Sequence, residues 1–133
     1  MILVDSSVLV SYLRGRETEA TGRLDRLELE DSAWAIPEPC IQEILQGARD
    51  ERAWRRLHLA VRGRDIVGPV DGVDAHVAAA RIWFDARRRG LTVRSATDCL
   101  IAQIALDHDA FFLHDDDDFE RIAKVRPLKI LRR

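Results

Sequence analysis

Two short apolar runs, Ile2-Leu3-Val4 and Phe111-Phe112-Leu113, each stop at polar and acidic residues. A strand without polar alternation is covered on both faces, as in a parallel sheet flanked by helices. Both runs are therefore predicted to be central strands. Asp5 follows the first; His114 and then Asp115 to Asp118 follow the second. In open α/β sheets, functional groups collect beyond the carboxyl ends of the strands. As parallel neighbours, these two strands would bring Asp5 and the late acids to one edge.

The sequence between them alternates helical and strand patterns. Ser6 or Ser7 can cap a helix carrying Val8, Leu9 and Leu13, with Gly15 to stop it. Leu24 and Leu27 recur at helical spacing within 18–30. Residues 33–36 read as a strand ending at Pro37, and Pro39 suits the first turn of a helix bearing Ile41, Ile44, Leu45 and Ala48. A charged helix over 50–63 presents Trp54, Leu57 and Val61 on one side, and Ile66-Val67 is a brief strand. Val73, Val77, Ala80 and Phe84 mark a long helix that ends in Arg87-Arg88-Arg89-Gly90, with basic residues at the negative end of its dipole. An apolar helix over 95–108, a short one over 119–125 and a last strand over 128–131 complete the chain. The fold expected is one α/β domain over 1–133, a mostly parallel central sheet flanked by helices.

Composition narrows the setting. Cys40 and Cys99 make no disulfide framework, no leader-like basic and apolar start precedes Asp5, and no apolar run is long enough to span a bilayer. A cytoplasmic protein with no membrane partner is expected. The formal net charge is −2, so charge alone neither demands nor excludes a nucleic-acid partner. Arg supplies nearly all the positive charge, with only Lys124 and Lys129 as lysines.

Two further acids bear on the strand-end cluster. Read alone, Ser95-Ala96-Thr97-Asp98 is a capping box ahead of an apolar helix. Glu43, roughly opposite the Ile41/Ile44/Leu45/Ala48 stripe, needs no explanation as an exposed residue. The Asp115–Asp118 run alone reads as a solvated turn. Brought together, however, like charges about 4 Å apart repel by several kcal/mol, and such a cluster persists only if acids protonate or a cation sits among them. Hard oxygen donors without a His/Cys ligand set suit Mg2+ or Mn2+, and such sites serve in-line attack on phosphodiesters.

Val4-Asp5-Ser6-Ser7-Val8 resembles the opening motif of PIN-domain proteins, in particular their VapC-type toxins. Glu43-Ile44-Leu45-Gln46-Gly47 is similar to the family's second motif, and the segment from Ser95 to Ala102 to its third. Leu113-His114-Asp115-Asp116-Asp117-Asp118-Phe119 resembles the fourth, an Asp three residues before a Phe. The resemblance spans almost the whole chain and implies a single PIN-like nuclease domain. It carries the family's acidic quartet onto Asp5, Glu43, Asp98 and Asp116, with Asp118 as a secondary ligand. Ser6 or Ser7 takes the place of the early hydroxyl that supports the first acid. The implied activity is endoribonucleolytic, dependent on Mg2+ or Mn2+, on transfer or ribosomal RNA. The implied partners are a VapB-like antitoxin and a second copy of the chain, a homodimer to which the Trp54 helix would contribute.

Competing patterns are weaker. Neither a P-loop nor a Gly-x-Gly-x-x-Gly fingerprint is present. A phosphatase or phosphoacceptor domain also gathers Asp at strand ends, but Asp5-Ser6-Ser7 lacks the Asp-x-Asp of one such family and the early acid pair of another. A non-catalytic acidic docking module is the other alternative. The histidines, Cys99 and the tryptophans read first as core or surface residues. The group Arg49, Arg52, Arg55, Arg56, Arg62 and Arg64 reads as a solvated face that could also hold an RNA backbone near the acids.

Overall fold

The computed structural model describes residues 1–132. Its elements, in order, are β1 (Ile2–Val4), α1 (Ser6–Leu13), α2 (Glu19–Leu29), β2 (Ala35–Pro37), α3 (Glu38–Gln46), α4 (Glu51–Arg62), β3 (Asp65–Val67), α5 (Gly72–Arg88), α6 (Ala96–Asp107), β4 (Phe111–Leu113), α7 (Asp117–Ile122) and β5 (Lys129–Ile130). The strands form one sheet in the order β3-β2-β1-β4-β5, and every pairing is parallel. The expectation of a mostly parallel sheet with the two apolar runs inside it is met.

The chain winds outward from β1 through β2 to β3, then crosses to the other side of β1 to lay down β4. The gap between β1 and β4 is thus where the winding reverses, the place where open α/β sheets hold their ligands. Register makes the alignment tight: Ile2, Leu3 and Val4 sit beside Phe111, Phe112 and Leu113. The ladder continues one residue further, with the Asp5 N–H donating to the Leu113 carbonyl at 2.9 Å.

Local signals fix the helix ends. Asp5, and not Ser6 or Ser7 as the sequence suggested, caps α1, because its carboxylate accepts the Ser7 N–H; Thr18 and Thr21 form a reciprocal box at the start of α2, and Asp50 and Asp71 cap α4 and α5. Gly15 and Gly90 follow α1 and α5 at φ of 72° and 73°, a left-handed turn that glycine adopts without penalty. The core packs Leu3, Val4, Phe112 and Leu113 of the sheet against Ile36, Ile44, Ile82, Ile101 and Ile104, all essentially inaccessible. Helix α6 is buried on almost every side, through Asp98, Cys99, Ile101, Ala102, Ile104 and Ala105.

Helix α5 forms where expected, but its apolar stripe does not face the core. Val73, Val77, Ala80 and Phe84 are exposed, while Ala75, Ala79, Ile82 and Ala86 are buried. The smaller set wins because α5 packs closely on α6, and alanines let two helix backbones approach. On α4, Val61 is buried and Leu57 half-buried, but Trp54 is 42% exposed.

Ile104→Ala, at the centre of this core, should cost about 2–5 kcal/mol. A urea melt would check this. An unchanged midpoint would mean α6 is not the packing centre that its burial indicates.

Candidate active site

Each acid reaches the β1/β4 edge from a different element. Asp5 leaves β1 directly, and its buried carboxylate accepts hydrogen bonds from the Ser7 N–H at 3.1 Å and the Ser7 hydroxyl at 2.5 Å. Ser7 Oγ in turn accepts the Asp115 N–H at 3.0 Å, so one hydroxyl ties the end of β1 to the loop after β4. The Cys40 thiol lies 3.5 Å from the other Asp5 oxygen. One turn later on α3, Glu43 accepts from the Ser6 hydroxyl at 3.0 Å. Adjacent serines therefore serve different acids: Ser7 supports Asp5, and Ser6 supports Glu43.

The second half of the site comes from α6 and α7. Ser95 stands at the N-cap of α6, yet its side chain makes no capping bond. The expected Ser95–Asp98 capping box does not form. Asp118 caps α6 instead, its carboxylate accepting the Arg94 and Ser95 N–H groups at 3.0 and 3.2 Å. Arg121 and Arg94 approach its other oxygen at 3.1 and 3.6 Å. Relieved of capping, Asp98 is turned inward at 5% exposure, with one carboxyl oxygen buried and unpartnered.

The run Asp115–Asp118 divides by alternation. Asp115 and Asp117 face solvent, Asp116 is half-buried and Asp118 is buried. Asp116 caps α7 and receives an Arg94 guanidinium at 3.8 Å. Its own N–H donates to Nδ1 of His114 at 3.1 Å, so the proton of neutral His114 sits on Nε2, facing Glu120 at 3.5 Å. His114 is packed between the rings of Phe112 and Phe119, and burial depresses its pKa.

Ligand-capable atoms gather in two groups, Asp5/Cys40/Glu43 and Asp98/Asp116/Asp118, each within 4.8 Å. Burial pushes the Asp5 carboxyl up to about 6, against the lowering effect of its Ser7 hydrogen bonds, with Glu43 adding repulsion. Asp98 is raised much further, first by burial, then by its contact with Asp118 and the charges of Asp5 and Asp116. Asp118 is held low despite its burial, because Asp98 and the Arg94 and Ser95 amides donate to its charge. Of the two, Asp98 is the member whose protonated form the site favours. Burial and neighbouring carboxylates raise the Cys40 thiol, so it stays protonated and is a poor soft-metal ligand. What remains is two groups of oxygen donors, the second with an orphaned buried oxygen on Asp98, a chemistry that fits a hard divalent cation.

The sequence-predicted residues Asp5, Glu43, Asp98, Asp116, Asp118 and Ser7 all lie at this edge. Sequence reasoning missed Cys40, Ser6 as the partner of Glu43, and Arg94 with Arg121 beside Asp118. A Ser directly before the supporting Ser was the only local signal for any of them.

The PIN domain family description matches residues 2–125 of the chain. VapC ribonuclease Mb1587 of Mycobacterium bovis and ribonuclease VapC11 of Mycobacterium tuberculosis are each 42% identical to it over 130 residues, covering 97% of this chain and 96% of the relative. Among solved structures, VapBC2 from Rickettsia felis bound to a promoter DNA fragment superposes with a TM-score of 0.75 at 18% identity, covering 98% of both chains. FitAcB from Neisseria gonorrhoeae gives 0.69 at 24% identity, covering 98% of this chain and 96% of its own. These structural likenesses bear on the fold.

The raised carboxyls have a consequence for stability. An acid whose folded pKa lies above its unfolded value stabilises the fold fully below about pH 4 and loses that contribution as pH climbs through the folded value. Asp5 loses it towards about pH 6 and Asp98 at higher pH still. Asp118, held low, acts in the opposite sense but only in acid. In EDTA, the melting temperature should therefore fall from about pH 5 to about pH 8, and Asp98→Asn should flatten the fall. A profile identical in that variant would contradict the upward shift of Asp98.

Proposed function

The chain belongs to the PIN domain family, and on that footing we propose that it is a metal-dependent endoribonuclease, the toxin of a VapBC-type toxin–antitoxin pair. The observation that carries the reading is the buried, unpartnered oxygen of Asp98 beside the carboxylates of Asp116 and Asp118, with Asp5 close enough to act on it. Relatives named VapC ribonuclease over nearly their full length support it.

Asp5, Glu43, Asp98 and Asp116 would hold the cation, Mg2+ or Mn2+, with Asp5 and Asp98 as principal ligands. Such an ion supplies Lewis-acid polarisation of a phosphodiester and activates water for in-line attack, so no covalent enzyme intermediate is needed. The chain's own groups supply order. Ser7 fixes the carboxylate plane of Asp5, Ser6 does the same for Glu43, and the His114 ring anchors the backbone of Asp116. Asp118 serves chiefly as a fastener, since both of its oxygens are engaged. Its charge also favours the protonated form of Asp98.

Two partners follow from the same reading. A VapB-like antitoxin would place a basic side chain in the negative groove, and the structural neighbours include toxin–antitoxin complexes. A homodimer would cover exposed apolar surface that a monomer leaves in water, Trp54 on α4, as the sequence suggested, and Val73, Val77 and Phe84 on α5. The substrate class is transfer or ribosomal RNA, and the place of action the cytoplasm; no helix among the described residues is long and apolar enough to cross a membrane.

Two measurements test this. Purified protein should cleave structured RNA with Mg2+ and not with EDTA, release no phosphate from small monoesters, and lose cleavage by at least about a hundredfold in Asp98→Asn with the fold retained. Cleavage at the wild-type rate in that variant would refute the site. Light scattering should show a homodimer alone and a larger complex after co-expression with an adjoining small reading frame. A monomer at micromolar concentration would count against the α5 interface.

A further inference from the structure

A basic pocket of about 340 Å³ opens between the end of α1, the end of α3 and the start of α4, with none of the site's carboxylates in its lining. Arg14, Arg16, Arg49 and Arg56 line it, over a floor that includes Leu13 and Leu57. Elsewhere among the described residues Arg23, Arg55, Arg64, Arg81, Arg94, Arg121, Arg126 and Arg132 reach carboxylates, while Arg26, Arg52, Arg62, Arg87, Arg88 and Arg89 are unpaired but line no common pocket with these four. Among the described residues, none of the four in the pocket lies within ion-pair distance of an acid. The one acid in the wall, Asp50, is turned to the N-terminus of α4, where it accepts the Ala53 N–H at 2.7 Å.

The pocket is built rather than incidental. Arg14 and Arg16 flank Gly15, whose left-handed conformation closes α1 with bonds from Gly15 to Tyr12 and from Arg16 to Ser11. That turn sets both guanidinium stems at the same rim. A Cβ on Gly47 would stand only 4.0 Å from an Arg14 guanidinium nitrogen, so Arg14 lies against the end of α3. Glu43 is four residues back on that helix, about 6 Å along its axis.

This juxtaposition matters for a nuclease. A polyanion approaching Asp5, Glu43 and Asp98 meets repulsion, which the chain's formal net charge of −2 does nothing to offset. Positive charge must lie close enough to grip the strand on either side of the cut. Free guanidinium groups match phosphate in a planar, bidentate way, and an apolar floor suits the face of an unstacked base.

We propose that the pocket of Arg14, Arg16, Arg49 and Arg56 is a nucleotide subsite that holds a backbone phosphate and base of single-stranded RNA beside the acidic centre. The inference rests on the ribonuclease reading and names part of how the substrate is held. The Arg14–Arg16 pair, outside the arginine group that the sequence singled out, closes the pocket opposite Arg49 and Arg56. Arg55, with Glu51 beside it, and Arg64, paired with Glu28, are not part of it.

Binding separates the subsite from catalysis. A fluorescein-labelled, mixed-sequence single-stranded RNA is titrated in EDTA with the full chain, with R14Q/R56Q, and with R26Q on α2 as the control. The double variant should bind at least about tenfold more weakly, and its log–log salt dependence should be shallower by about 0.7 for each guanidinium removed. R26Q should bind as wild type does. Circular dichroism establishes that each variant is folded, and R14K/R56K, which keeps the charge, should recover part of the affinity. Unchanged RNA affinity in R14Q/R56Q overturns the subsite, as does equal weakening in R26Q. Unchanged RNA affinity together with lost binding of a polyglutamate peptide would assign the pocket to an acidic protein partner, and also overturns it. Wild-type protein that cleaves RNA with Mg2+ while R14Q/R56Q binds normally leaves the ribonuclease and removes only the pocket. Wild-type protein that neither binds nor cleaves RNA removes both.

Discussion

Like charges at close range are the condition around which this molecule is arranged. Asp5, Asp98, Asp116 and Asp118 meet at one sheet edge, and at an effective dielectric near 20 a pair about 4 Å apart repels by roughly 4 kcal/mol. The fold answers each acid differently. Asp5 receives a hydroxyl, an amide and a thiol. Asp118 receives two amides and two guanidinium groups and remains charged while buried. Asp98 receives no such help on one oxygen and keeps a proton. The asymmetry leaves a buried group that gains by meeting a cation, beside another already satisfied.

That arrangement depends on the sheet. Pairing of β1 with β4 sets Asp5 next to the His114 loop, and the reversal of winding at that gap keeps the space beyond it free of a crossing connection. Ser7 then bridges the two strand ends through Asp5 and the Asp115 amide. The remaining acids arrive on helices whose positions are set by the core: α3 through Ile44, α6 through Ile101 and Ile104. Site and core share elements, so a cavity in α6 reaches the carboxylates as well as the global stability.

Much of this was legible in the chain because it is local. Wholly apolar strands, the presence of each helix and Gly15 or Gly90 as stops are read over a few residues, and each matches the structure. The acids at strand ends were legible for the same reason. What was not legible is the pairing of distant groups. Asp118 caps a helix that starts more than twenty residues before it in sequence, so Ser95 and Asp98 looked like a self-sufficient box. Cys40 meets Asp5 only because β2 runs beside β1. On α5, size misled: Val73, Val77 and Phe84 are the larger apolar groups, but close packing on α6 selected the alanines.

The aspartate run after β4 hides a phase. Its members are identical in kind, yet Asp116 and Asp118 point inward while Asp115 and Asp117 point to water. Loss of one codon from such a monotonous tract would leave an acidic stretch that looks almost unaltered in an alignment. In the folded chain, with Phe119 and Ile122 fixed in the core, it would shorten the loop from β4 to α7 and break the alternation that turns Asp116 inward. A short repeat of one residue is thus, here, as sensitive to frame as any mixed motif, and substitution at its outward positions should be tolerated where deletion is not.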